Sequence, residues 1–141
     1  MCKCNCKAGD IMYDLTYLVE CVNNVLDNRQ LVATPENFGS AIRVNGKGKA
    51  YESGAWIRVE RYNGNIIFNV NSVYLQPEFR GKGILDKICR AAIDSGEITG
   101  LQITSVISDE MHQWCRKRNF LYDEPNMRYI YTGDDIKFRQ R

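Results

Sequence analysis

Residues 65–96 read NIIFNVNSVYLQPEFRGKGILDKICRAAIDSG, and this stretch decides the fold. Ile66 to Leu75 is rich in β-branched and apolar side chains, the composition of a buried strand. Pro77 cannot donate to a sheet ladder, so the strand is expected to end before it. Arg80-Gly81-Lys82-Gly83 follows as a short, cationic, glycine-bearing turn. Ile84, Leu85, Ile88, Ala91 and Ala92 then recur at helical spacing, and Gly96 suits the helix stop.

The physics of that turn points to an anion. N–H groups at a helix start have no intrahelical acceptor and sit at the positive end of the helix dipole. Glycines admit a ligand close to the backbone, and Arg80 and Lys82 add formal charge. Together they describe a cradle for a phosphate or pyrophosphate. The plainer reading is a tight strand-to-helix connection with exposed cations. No Gly-Lys-Ser/Thr follows, which excludes a P-loop, and the spacing is wrong for a dinucleotide fingerprint.

Val73-Tyr74-Leu75-Gln76-Pro77-Glu78-Phe79-Arg80-Gly81-Lys82-Gly83-Ile84 resembles the acetyl-CoA-binding signature of the GNAT superfamily of N-acyltransferases. Downstream, Asp109 to Phe120 (DEMHQWCRKRNF) resembles the helix that ends in Gly-Phe in that family. The resemblance spans roughly Trp56 to Tyr131. It implies an α/β (α+β) domain whose central sheet is mixed, mostly antiparallel and flanked by helices. It implies acetyl-CoA, or another acyl-CoA, as co-substrate. The N–H groups of Gly81, Lys82, Gly83, Ile84 and Leu85 would then hold the pyrophosphate, with Arg80 and Lys82 adding charge. The pantetheine arm would run beside the backbone of Val73 to Leu75, where an N–H polarises the thioester carbonyl. The implied chemistry is direct attack by an amine, on a protein or a small molecule.

The sequence departs from the family pattern at three places. Leu85 stands where the signature has Gly or Ala, and is expected to crowd the pyrophosphate. Cys115 occupies the place of the family's Tyr general acid. The central strand offers Asn69 and Asn71 in place of a carboxylate, and neither takes a proton near neutral pH. Glu60, on the preceding strand, is the substitute base, and Asn69 and Asn71 could hold a relay water. His112, Tyr74 and Tyr122 are further acid–base candidates. These departures keep open a second reading, a catalytically inactive module of the same fold that binds CoA or a protein partner.

The totals bound the rest. The chain has 141 residues, 44% hydrophobic and 26% charged, which suits one globular domain. Nineteen basic and 17 acidic residues leave a net charge of +2, too balanced to argue for nucleic acid. Arg116, Lys117, Arg118, Arg128 and Arg139 fit a helix end and a tail better than a groove reader. No apolar run is long enough for a membrane span, and no signal-peptide core is evident. A cytoplasmic protein with reduced thiols is expected. Of the six cysteines, Cys21 and Cys89 fall on apolar helix faces. Cys2, Cys4 and Cys6 lack the C-x-x-C spacing and fourth ligand of a closed zinc site, so no metal is expected.

The remaining organisation follows from pattern. Residues 1–9 are expected as a flexible Cys-rich start, 10–133 as the domain and 134–141 as a polar tail. Ile11 to Leu31 reads as a helix capped by Asp10, with Leu15, Leu18, Val19, Val22, Val25 and Leu26 on one stripe. Thr34 to Gly39 reads as a connector, Ala41 to Val44 as a short strand and Asn45 to Lys49 as a flexible basic loop. Trp56 to Tyr62 alternates as a strand, and Asn63-Gly64 predicts a tight hairpin into the central strand. Leu101 to Ile107 is a strand parallel to the central one. Ser108 or Asp109 caps the last helix, Asn119 ends it, and Phe120–Tyr122 with Met127–Tyr131 closes the domain as a hairpin.

Overall fold

Asn63 and Gly64 both take left-handed backbone angles, φ 52° and 79°. This is the primed two-residue turn whose twist matches a β-hairpin. It joins β3 (Gly54–Tyr62) to β4 (Asn65–Tyr74), the longest strand. The computed structural model describes residues 15–26, 30–104, 106 and 108–132. The expected Asp10 cap, the Cys2, Cys4 and Cys6 cluster and the polar tail lie outside them.

The element order is α1 (Thr16–Leu26), β1 (Leu31–Glu36), β2 (Ala41–Gly46), β3, β4, α2 (Ile84–Asp94), β5 (Gly100–Thr104), α3 (Asp109–Lys117), β6 (Leu121–Asp123) and β7 (Arg128–Thr132). The strands form one sheet in the order β1-β2-β3-β4-β5-β7-β6. Among the described residues only β4 and β5 pair in parallel, joined through α2; every other neighbouring pair is antiparallel. This is the mixed, mostly antiparallel sheet with flanking helices that the sequence resemblance implies.

One face of the sheet makes the core. Ile42, Val44, Ile57, Val59, Phe68, Val70, Leu101, Ile103 and Tyr129 cluster there with Leu18 and Val22 of α1, Ile88 and Cys89 of α2, and Cys115 of α3. Fully burying one such aliphatic side chain contributes roughly 2 kcal/mol. The stripe expected on α1 is the buried one, with Val25 at its margin.

Three expectations need correction. The first helix does not reach Leu31, which instead opens β1 opposite Gly46. Of the segment expected as a connector, Thr34 to Gly39, the first half belongs to that strand, and Asn37–Gly39 forms a 3-10 turn. Pro35 was read as a turn residue, but β1 is the sheet edge, where a missing N–H costs no ladder bond. Similarly, Asn45 and Gly46 extend β2, and Gly48–Ala50 forms a 3-10 turn. Gly46 is required there, since an added Cβ would fall 1.7 Å from the Ala50 carbonyl oxygen.

The end of α3 closes as a Schellman motif. Asn119 takes φ 65° and donates to the Arg116 carbonyl, and Phe120 N–H returns to the Cys115 carbonyl. At its start, Ser108 Oγ accepts from the Met111 N–H, as the capping pattern predicts.

Candidate functional site

The geometry of the site begins with a register shift. Ile57 pairs with Val70 and Trp56 with Ser72, so Asn71 is the extra residue of a β-bulge in β4. The bulge resets the alternation: Phe68 and Val70 before it and Val73 after it all reach the core side. Pairing of β4 with β5 stops at Val70 and Ile103. Beyond it the β5 side of the backbone from Asn71 to Tyr74 has no strand partner among the described residues. The two parallel strands therefore part in a fork, floored by Asn71 and by Thr104, the last residue of β5.

At the same end of the sheet the chain leaves β4 and enters α2. Gln76 is buried and pins this exit. Its N–H donates to Ser53 Oγ at 2.9 Å, its side-chain oxygen accepts from the Glu52 N–H at 2.8 Å, and its amide nitrogen donates to the Lys49 carbonyl at 3.0 Å. The 49–53 segment is thus fastened beside the turn. Arg80 Nε donates back to the Leu75 carbonyl at 2.6 Å, and its guanidinium lies 5.4 Å from the Tyr74 ring centroid.

Gly81 and Gly83 are both left-handed, φ 73° and 72°, and nothing lies within 4 Å of a Cβ built on either. Gly83 is the N-cap of α2 and supplies no side-chain cap. The helix is first closed by the Lys87 N–H on the Gly83 carbonyl. The N–H groups of Ile84, Leu85 and Asp86 therefore have no intrahelical acceptor. With exposed Lys82 alongside, the turn is an open, positively polarised concavity.

Leu85 does not project into that concavity. It is buried in the core cluster, so only its N–H faces the turn. The expected crowding of a pyrophosphate by its side chain does not arise. A helix buries a fixed face, and Leu85 shares that face with Ile88, Cys89 and Ala92.

The face of the sheet opposite the core carries a polar chain. Asn69 Nδ2 donates to Glu60 Oε2 at 3.1 Å. Thr104 Oγ1 donates to Asn71 Oδ1 at 2.9 Å and lies 3.4 Å from Asn69 Oδ1. Arg58 Nε stands 3.6 Å from Glu60. Glu60 and Asn71 are thus linked through Asn69, which the sequence offered beside Asn71, and through Thr104, which it did not mark.

Cys115 is elsewhere. It is fully buried, and burial pushes its thiol up to about 12 against the opposing pull of Arg118 and Arg116. The expectation that it protonates the leaving thiolate finds no support in this placement; the side chain packs. His112 Nδ1 is 2.8 Å from the buried Tyr129 hydroxyl, and Tyr122 stacks edge-on at 5.8 Å. Tyr129 was not singled out, because a tyrosine in a closing hairpin carries no pattern of its own.

No family model matches the sequence, and no curated protein does. Among solved structures the chain is similar to a NatC complex bound to Gag peptide and CoA, at 11% identity and a TM-score of 0.43, covering 84% of this chain and 90% of that one. It is also similar to Arabidopsis thaliana Naa50 in complex with the bisubstrate analogue CoA-Ac-MVNAL, at 13% identity and a TM-score of 0.42, covering 86% and 93%. A third likeness is to the KacTA–DNA complex, at 14% identity and a TM-score of 0.40, covering 83% and 77%.

Proposed function

We propose that the protein is an acyl-CoA-dependent N-acyltransferase, with acetyl-CoA as the expected donor and an amine, on a protein or a small molecule, as acceptor. The observation that carries this reading is the uncapped Gly81–Gly83 entry to α2, placed at the end of the sheet where β4 and β5 part. An anionic pyrophosphate fits the first and a thioester arm fits the second. Arg80, Gly81, Lys82, Gly83, Ile84 and Leu85 supply charge and backbone N–H groups to the phosphates. Val73 and Leu75 lie along the unpaired strand edge, where a backbone N–H stabilises the oxyanion formed on amine attack. Glu60, linked to the fork through Asn69 and Thr104, accepts the amine proton through a water held at Asn71. The thioester C–S bond then breaks, and CoA leaves as thiolate.

Calorimetric titration with acetyl-CoA and CoA tests the reading, on wild type and on Arg80→Ala/Lys82→Ala. Micromolar binding lost in the double variant, with CoA thiol release in an amine screen, is expected. Absence of binding to wild type refutes it. Binding without turnover on any amine favours the inactive module, a reading the buried Cys115 supports.

A further inference from the structure

The polar groups at the fork are unequal in donors and acceptors. Asn69 is oriented by Glu60, which when ionised only accepts, so its carbonyl oxygen faces Thr104. Asn71 Oδ1 faces the same hydroxyl. A hydroxyl has one proton. The 2.9 Å contact to Asn71 takes it, and the 3.4 Å contact leaves Asn69 Oδ1 without a strong donor. Counting two N–H donors on each asparagine amide and one O–H donor on Thr104, the donors are still outnumbered by the lone pairs of the Glu60 carboxylate, both asparagine carbonyls and Thr104. The neighbouring cation, Arg58, sits at 3.6 Å from Glu60 with its side chain 56% exposed, too loosely placed to balance them.

The surplus sits where the sheet opens, because Asn71 is the bulge residue and Thr104 ends β5. Asn71, Thr104 and Glu60 are each only half-buried, so a ligand on this face can reach them. Such a site favours a partner rich in N–H donors. A primary ammonium brings three, a hydroxyl one, and a thiol only a weak one.

We propose that Thr104 is a positioning residue. Its hydroxyl fixes the Asn71 carbonyl toward the fork, and the resulting acceptor-rich floor selects a primary amine over hydroxyl or thiol acceptors. The inference rests on the acyltransferase reading and adds to it the residue that sets acceptor class.

The test is an NMR titration of the protein with n-butylammonium and, in parallel, with tetramethylammonium, which carries the charge without N–H donors. Saturable shifts of the Asn69 and Asn71 side-chain amides and the Thr104 methyl are expected with butylammonium alone. Thr104→Val should weaken that binding about tenfold, the size of one hydrogen bond, and Thr104→Ser should restore it. The acetyl-CoA affinity, measured on the same samples, should not change. Asn71→Ala should reproduce the loss if the valine variant folds poorly. Equal response to both cations, or undiminished butylammonium binding in Thr104→Val and Asn71→Ala, overturns the proposal. Failure of wild type to bind acetyl-CoA refutes the acyltransferase reading instead, and the two failures are read on different ligands.

Discussion

Arg118 Nε lies 2.9 Å from Asp86 Oδ1, with both residues buried, and the pair ties α3 to the first turn of α2. Arg90 holds the other carboxylate oxygen at 2.8 Å. Arg118 also donates to the Trp114 carbonyl at 3.0 Å and stacks 4.2 Å from that ring's centroid. The turn that enters α2 is therefore braced from behind by Asp86 and its two arginine partners.

Breaking this brace should cost much of the domain's stability. Removing Arg118 leaves the buried Asp86 carboxylate with Arg90 as its remaining cation and strips a charged hydrogen bond from it, so Arg118→Ala should lose about 2–3 kcal/mol. Calorimetry should read a melting point lower by roughly 10 °C. Arg118→Met/Asp86→Leu should recover most of it, because well-packed apolar residues replace buried pairs at little net loss.

The same pair sets a pH dependence. Burial alone would raise the Asp86 pKa, but hydrogen bonds from Arg90 and Arg118 outweigh it and hold the carboxyl below its ordinary value. The folded pKa is thus below the unfolded one, near ~3.9. Its stabilisation is full above that value and is lost as pH falls through the folded pKa. Urea midpoints from pH 6 to pH 2.5 should fall more steeply for wild type than for Asp86→Asn below about pH 4. Parallel curves would show that Asp86 contributes nothing to acid unfolding.

Leu85→Ala separates packing from ligand access. With Leu85 in the core, the substitution should cost about 2–3 kcal/mol and leave acetyl-CoA affinity within twofold. Tighter binding in the alanine variant would instead mean that the leucine side chain obstructs the turn.

Sequence reading reached the elements whose signals are local. Asn63-Gly64 carries its own turn geometry, Ser108 its own cap, and Asn119 its own helix stop. The Arg80–Gly83 turn was legible because glycine and charge fall together before an apolar helical stripe. What depends on distant partners was not. Pro35 is tolerated because β1 has no outer strand neighbour among the described residues, and the Asn71 bulge appears only when β3 is laid beside β4. The apolar pattern told that Leu85 is hydrophobic, but the tertiary packing of α2 decided that it points away from the turn. Gln76 and Thr104 are polar residues without a motif, and their importance lies in atoms contributed by the 49–53 segment and by Asn69 and Asn71.

Gly83→Ala should act on binding more than on folding. No atom lies within 4 Å of the added Cβ, so the stability cost is the left-handed backbone alone, about 1–2 kcal/mol. At the proposed pyrophosphate site the methyl would crowd the phosphate oxygens, and calorimetry should show acetyl-CoA affinity reduced by more than about tenfold. Unchanged affinity would place the phosphates elsewhere.

Cys115 provides the sharpest contrast between motif position and structure. By motif it is a proton donor to sulfur; by placement it is a small apolar side chain in the core. A thiol raised to about 12 by burial stays protonated and unreactive at neutral pH. Iodoacetamide at pH 8 should therefore leave the peptide containing Cys115 unmodified in the native protein and label it fully in urea, as read by mass spectrometry. Cys115→Ala should lower stability by about 1 kcal/mol through the small cavity it leaves, while keeping turnover within twofold. A fall in kcat of a hundredfold or more, with acetyl-CoA affinity intact, would return the general-acid role to this thiol.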